Sequence, residues 1–391
     1  MALGLACCGE STLPLLALQL GLPDGVVSTV GAMNFSCFLV LPLGFVLGGR
    51  MGAGKSMRLE NFGMALGAAI LGFAVWSWVG LFFAGLIAFF VSRAANFAMR
   101  FSLQRAIATD EEMPAMLARN YTGMYSCSLL GCLLVSFVLK LFPGANTLAL
   151  IFLCGAILFA LTGNCIGKVG EPGQVQKLAA VPVLPQVRLA WQHKLVRHQI
   201  YVGCLHNLIL AAVVPINILA AKRGADMSDA AVIMLTAIQS VSAIAGSFVV
   251  KSITRKFGPR KMLILGYPLL WIICLWWCLI PENPPFAMLI LPFILGGMLM
   301  VAFSTSLENY FLISVPTELQ LGGTFLVFVV TGGAAGAVGM LLNWTLFKIA
   351  PMVIDPAAGA MTTYHFYYTV TGLLFALGIF GAISLPVKFR K

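Results

Sequence analysis

Apolar residues run in blocks about twenty long, separated by short polar interruptions, along nearly the whole chain. As a helix, such a block covers the hydrocarbon of a bilayer, about 30 Å at roughly 1.5 Å per residue. The blocks predict spans over residues 1–20, 26–47, 59–79, 81–103, 121–141 and 148–166, then 200–220, 230–250, 262–280, 286–313, 324–347 and 366–387. The expected fold class is therefore an all-α membrane protein of twelve transmembrane helices in two pseudo-symmetric six-helix halves. Residues 1–167 form the first half, 168–198 a linker and 199–391 the second. Leu22-Pro23-Asp24-Gly25 marks the first turn, and Trp76 and Trp78 stand where indole rings prefer to sit, at a membrane interface. The first block has no basic leader, so it reads as a span rather than a secretory signal, beginning at Met1 or continuing a longer N-terminus. Within the linker, prolines and five basic residues lead into an amphipathic segment, Leu184 to Arg197, expected to lie on the membrane surface.

Two of the interruptions resemble each other. Arg50-Met51-Gly52-Ala53-Gly54-Lys55 aligns with Lys256-Phe257-Gly258-Pro259-Arg260-Lys261 about half a chain later, an internal repeat that supports two similar halves. The first copy also satisfies the phosphate-loop spacing, Gly49 then Gly54-Lys55-Ser56. Its flanks are membrane-length apolar runs, without the buried strand and soluble helix that a nucleotide site needs, so nucleotide binding is set aside.

Composition sharpens the membrane reading. With 60% hydrophobic and 9% charged residues and a mean hydropathy of +0.97, the 391 residues lack the polar surface of a soluble protein. The net charge of +11 does not point to nucleic acid, because the basic residues fall on one side of the alternating spans. Only Lys140, Lys222, Arg223 and Lys348, of 24, fall on the other. This bias puts both termini in the cytoplasm of what is expected to be a plasma (inner) membrane, with anionic headgroups as neighbours. The ten cysteines all lie in apolar runs, where they pack as small hydrophobes; no metal and no cofactor is expected.

Both basic turns resemble the short loop joining the second and third helices of each half in the major facilitator superfamily, whose usual form is G-x-x-x-D-R-x-G-R-[RK]. Arg50 and Gly52 match it, whereas Gly49 and Arg255 replace the aspartate and Phe45 and Lys251 the first glycine. The resemblance marks Arg50, Gly52, Lys55, Lys256, Gly258 and Arg260 as gating-loop residues. It also implies two parallel six-helix halves around a midplane site that opens to alternate sides. Arg93 and Asn96 resemble part of the family's fourth-helix motif, R-x-x-[QG]-G-x-G, whose arginine is linked to proton transfer, although Phe97 occupies a glycine position.

Chemistry would rest on the polar residues inside the spans, each expensive in lipid and by default functional. Glu10 in the first span and Arg93 in the fourth form the expected proton-coupling pair. Arg93, Asn96, Arg100 and Gln104 recur at spacings of 3, 4 and 4, one helix face that should line an aqueous path. Asn96, Arg100, His206, Asn207, Asn217, Gln239 and Ser304 are candidate substrate contacts; any of them can equally be a helix-to-helix hydrogen bond.

The function these observations imply is secondary-active, proton-coupled uptake of a small polar or anionic organic solute by a monomer. Its partners would be the solute, the proton and the lipid bilayer. The fifth block, Tyr121 to Leu141, lacks the G-x-x-x-G-P signature of family drug antiporters, which favours uptake over efflux. Efflux of lipophilic compounds, an uncoupled facilitator, a non-transporting sensor and a lipid-acting enzyme are the alternatives. The enzyme finds no convergent nucleophile, base and orienting acid.

Overall fold

Every apolar block becomes a helix in the computed structural model, which describes residues 1–9, 11–107, 113–168, 183–257, 259–315, 319–355 and 359–384. In chain order they are α1 (Ala2–Cys8 and Thr12–Gln19), α2 (Asp24–Met51), α3 (Ala53–Ala74), α4 (Val79–Ile107), α5 (Met113–Leu141) and α6 (Ala145–Ile166). After the linker helix Val183–Gln192 follow α7 (Lys194–Gly224), α8 (Asp229–Phe257), α9 (Pro259–Leu279) and α10 (Phe286–Ser314). The last two are α11, in three consecutive pieces (Gln320–Leu326, Val327–Ala334, Ala335–Val353), and α12 (Ala360–Ser384). Among the described residues, 10 helices are long and apolar enough to cross a membrane. Large apolar side chains such as Leu66, Phe137, Leu161 and Leu341 face outward, as lipid-solvated helices require.

The spans are longer than the apolar blocks, and the turns correspondingly tighter. The basic stretch from Gly48 to Leu59, expected as a loop, is mostly helix. Arg50 lies in the last turn of α2, Lys55 and Arg58 in the first turns of α3, and Gly52 alone turns the chain at φ +89°. Charged residues on the solvated ends of helices look like a loop in a hydropathy reading, which explains the discrepancy. The amphipathic segment 184–197 likewise divides, because His193 is extended and α7 starts at Lys194, six residues before its apolar block.

Four helices depart from regular α geometry. α1 breaks at the extended Gly9 and restarts at Thr12; Glu10, between them, lies outside the described residues. α2 tightens to a 3₁₀ turn at Cys37–Val40. α7 ends in a π turn at Ala220–Gly224, and α11 widens to π geometry over Val327–Ala334. Pro215 leaves α7 helical and packs against Gly31 of α2.

Packing repeats on the two sides of the linker. α3 lies against α4 and α6, and α9 against α10 and α12. Two long seams join the segments before the linker to those after it, α5 along α8 and α2 along α11 and α7. The α2–α11 seam is close because it is lined with glycine. A Cβ on Gly333 would come within 2.7 Å of the Leu39 nitrogen, and one on Gly336 within 2.6 Å of the Ser36 nitrogen. The linker helix rests on the start of α11, where Gly322 faces the Gln186 backbone.

Candidate functional site

Arg93 sits in α4, partly buried, and its Nη1 donates to Oδ1 of Asn34 in α2. Asn34 is itself fixed, buried, with its amide donating to the Gly31 carbonyl at 3.1 Å. Among the described residues no carboxylate lies within 4.0 Å of Arg93. The described partner of this guanidinium is therefore a neutral amide. The expected Glu10 partner lies outside the described residues.

One turn along α4, Asn96 is buried and donates to the Met57 carbonyl of α3 at 3.4 Å. That bond turns it onto a neighbouring helix, the structural role that any polar residue in a span can take. Arg100 and Gln104 continue the same face of α4, with side chains outside the described set. Beside Asn96 stands Glu60 of α3, buried and accepting from Ser56 Oγ at 2.6 Å. Glu60 was not singled out from the sequence, where it stands second in the expected span 59–79, next to the basic turn.

Four residues beyond Arg93 and Asn34 on their own helices are Phe97 and Phe38. Their rings meet edge-on, with centroids 5.2 Å apart, and both meet Phe328 of α11, at 5.2 Å from Phe38 and 6.4 Å from Phe97. All three are half-buried. Toward the linker, Phe45 of α2 and Phe325 of α11 add a second aromatic contact at 5.6 Å.

The candidates after the linker are mostly held by helix-to-helix bonds. Asn207 of α7 donates to Thr331 Oγ1 of α11 at 3.1 Å, and Asn217 accepts from Tyr368 of α12 at 2.6 Å. Gln239 of α8 reaches Met300 Sδ of α10 at 3.4 Å. His206 is buried, its ring 4.6 Å from that of Phe303, and Ser304 is the half-buried neighbour of that phenylalanine. The structure thus spreads these residues over several helix contacts rather than gathering them. Ser11 of α1 and Thr236 of α8 share a 2.6 Å hydrogen bond across the segments before and after the linker.

Different chemistry joins helices at the two ends of the bundle. At the end away from the linker, Arg223 pairs with Asp24 at 3.2 Å and Lys222 with Asp229 at 2.7 Å. Gln19 and Tyr364 add hydrogen bonds to Asp229 and Asp24, at 2.9 Å and 3.4 Å. Of these residues the sequence had marked only Asp24, in the first turn, and Lys222 and Arg223, among the few basic residues on that side. Replacing Asp24 with Asn removes its ion pair with Arg223 between the α1–α2 and α7–α8 turns and is expected to weaken that contact by about 1 kcal/mol, roughly fivefold in the population that holds the turns together. Spin labels on the α1–α2 and α7–α8 turns should then show a longer distance component, and an unchanged distribution would count against the latch. At the linker end, Tyr121 of α5 donates to Glu308 of α10 at 2.7 Å. Of the gating-loop residues, Arg50 and Lys55 are exposed, and Arg260 donates to the Ile383 carbonyl of α12 at 2.6 Å. The Lys256 side chain and Gly258 lie outside the described residues.

A bundle of apolar helices with two long seams, a half-buried arginine in α4 and polar contacts at both ends has the architecture of a polytopic transporter. The family model of the Major Facilitator Superfamily matches residues 5–340, and the chain belongs to that family. This makes it an integral membrane transporter and not an enzyme. No individually curated protein matches it in sequence. Among solved structures it is similar in fold to the E. coli xylose transporter in a partially occluded, inward-open conformation, with TM-score 0.71, 13% identity and coverage of 100% of this chain and 96% of that one. A nucleoside transporter gives TM-score 0.71 at 12% identity, with 98% and 97% covered. The E. coli fucose:proton symporter gives 0.53 at 15%, with 99% and 98% covered.

Proposed function

We propose that the chain takes up a small polar or anionic organic solute by alternating access, coupled to protons. Arg93 carries the reading, as an intramembrane guanidinium whose described partner is a neutral amide. In this reading residues 1–167 and 199–391, joined by the linker 168–198, rock about the seams α2–α11 and α5–α8. Glu10, at the break in α1, binds the transported proton, and the ends with the basic turns face the cytoplasm across a plasma membrane. The protein works as a monomer. Similarity to xylose and nucleoside transporters and to a fucose:proton symporter supports a hydrophilic cargo and proton coupling. The half-buried Phe38, Phe97 and Phe328 favour one competing reading, efflux of lipophilic compounds.

A ligand-induced thermal-shift screen on the detergent-purified protein separates the two. The panel covers sugars, nucleosides, amino acids, organic acids and lipophilic cations, with Arg93→Ala in parallel. A ligand at a hundredfold its Kd adds about 2.7 kcal/mol of stability. Hydrophilic hits that Arg93→Ala abolishes are expected; hits confined to lipophilic cations and indifferent to Arg93→Ala would establish efflux instead.

A further inference from the structure

Glu60 takes no part in the Arg93–Asn34 contact, yet it is held in a close seam between α3 and α4. Its place follows from small neighbours. A Cβ on Gly67 would come within 2.5 Å of the Phe89 nitrogen, and one on Gly63 within 2.2 Å of Ser92 Oγ. The two helices therefore touch along positions 67, 63 and 60 of α3 and 89, 92 and 96 of α4. Glycine at two successive levels lets the backbones approach, and the next level on that face is Glu60. Its side chain is only 3% exposed, although it stands about 10 Å along α3 from the first residue of that helix.

The carboxyl has neutral partners. Its Oε1 accepts from Ser56 Oγ at 2.6 Å, the Asn96 amide lies against it, and its Oε2 is buried without a hydrogen bond. Among the described residues no Lys or Arg nitrogen lies within 4.0 Å. The basic side chains of its own helix turn elsewhere, Lys55 to the exterior and Arg58 over the Phe62 ring at 5.7 Å. On the helices packed against this part of α3, Arg93 is bonded to Asn34, and Arg50 of α2 and Cys165 of α6 are exposed. Arg100 of α4 has its side chain outside the described residues. An ionised carboxylate here would lack both water and a described counter-charge, a cost that the neutral acid avoids.

We infer that Glu60 is a proton-binding site, which holds a proton while the α3–α4 seam is closed and gives it to water on the linker side when the ends of those helices part. This rests on the proton-coupled reading above and adds to Glu10 a second carboxyl, on the side of the basic turns. The proton passes to a water molecule, and the bonding pair stays on the carboxylate oxygen. Ser56 and Asn96 suit both states. A hydroxyl and an amide can each donate to the carboxylate, and each also carries an oxygen that can accept from the acid's O–H. The site can thus load and unload with no described fixed cation pinning it in the ionised form.

Infrared spectroscopy of the purified full-length protein in liposomes tests this, with the proton as the only ligand. At neutral pH the spectrum should contain the C=O stretch of a protonated carboxyl that is lost in Glu60→Gln and kept in Glu10→Gln. Raising the pH should convert that band reversibly to carboxylate bands, and D2O should shift it slowly, as the seam opens. Ser56→Ala removes the hydroxyl donor and should move the same band. Equal protonated-carboxyl intensity in Glu60→Gln and the parent overturns the inference. So does a Glu60 band that neither alkali nor D2O alters, since that marks a sealed acid with a structural role. Coupling through Glu10 would survive either result. Hits confined to lipophilic cations in the thermal-shift screen would instead remove the uptake reading and leave the Glu60 band in place. Should Glu60→Gln fail to fold, Ser56→Ala decides, and an unmoved spectrum overturns the inference.

Discussion

Arg93→Ala should weaken binding of the transported anion by about a hundredfold or more, and its uptake into proteoliposomes in step. Truncating one member of a desolvated, hydrogen-bonded charge contact costs about 2–5 kcal/mol. In the proposed function Arg93 would make such a contact with the solute's carboxylate, from a helix packed against α2 and α3. Arg93→Lys keeps the charge but loses the planar fork, so it should fall between the two. Calorimetric titration on all three proteins reads the effect. An Arg93→Ala protein that binds as tightly as the parent would reduce the arginine to a strut between α2 and α4.

The second large effect is on folding, through Gly44. A Cβ there would sit 2.2 Å from the Ala95 carbonyl oxygen and 2.7 Å from the Ala98 Cβ, both on α4. Backbone cannot rotate away as a side-chain tip can. Nor can α2 retreat, because its other side is pressed against the glycines of α11. Overpacking of well-packed interiors costs about 1–3 kcal/mol, and Gly44→Val, colliding with main chain, should exceed that. The expected result is loss of monodisperse protein on size-exclusion chromatography. Gly123→Ala on α5 is the comparison, since nothing lies within 4 Å of its added methyl, and helix propensity should make it neutral or slightly stabilising. Equal recovery of both variants would show that the α2–α4 crossing is looser than these distances.

The helices were legible because lipid imposes one requirement, length of apolar run, and the chain obeys it from Ala2 to Ser384. Ends were misjudged where charge decorates a helix that continues, as at Lys55 and Arg58 of α3. Arg93 was visible as an isolated charge in an apolar stretch, whereas Asn34 was not singled out, because its role depends on which helix crosses α4. The Asp24–Arg223 pair was hidden for the same reason, since pairing across about 200 residues has no local periodicity to announce it. The 3₁₀ and π stretches were equally silent, since Cys37–Val40 and Val327–Ala334 have ordinary span composition.

That widened stretch of α11 also governs which genetic changes the protein can absorb. A π segment accommodates more residues per turn than an α-helix of the same height, so it behaves like a stored insertion. Deleting one codon between 327 and 334 would let the helix relax toward α geometry with its flanks close to their present register, leaving Gly322 on the Gln186 backbone and Gly336 against α2. The regular stretch Ala335–Val353 holds no such surplus residue, so the same deletion there would rotate everything beyond it by about 100°.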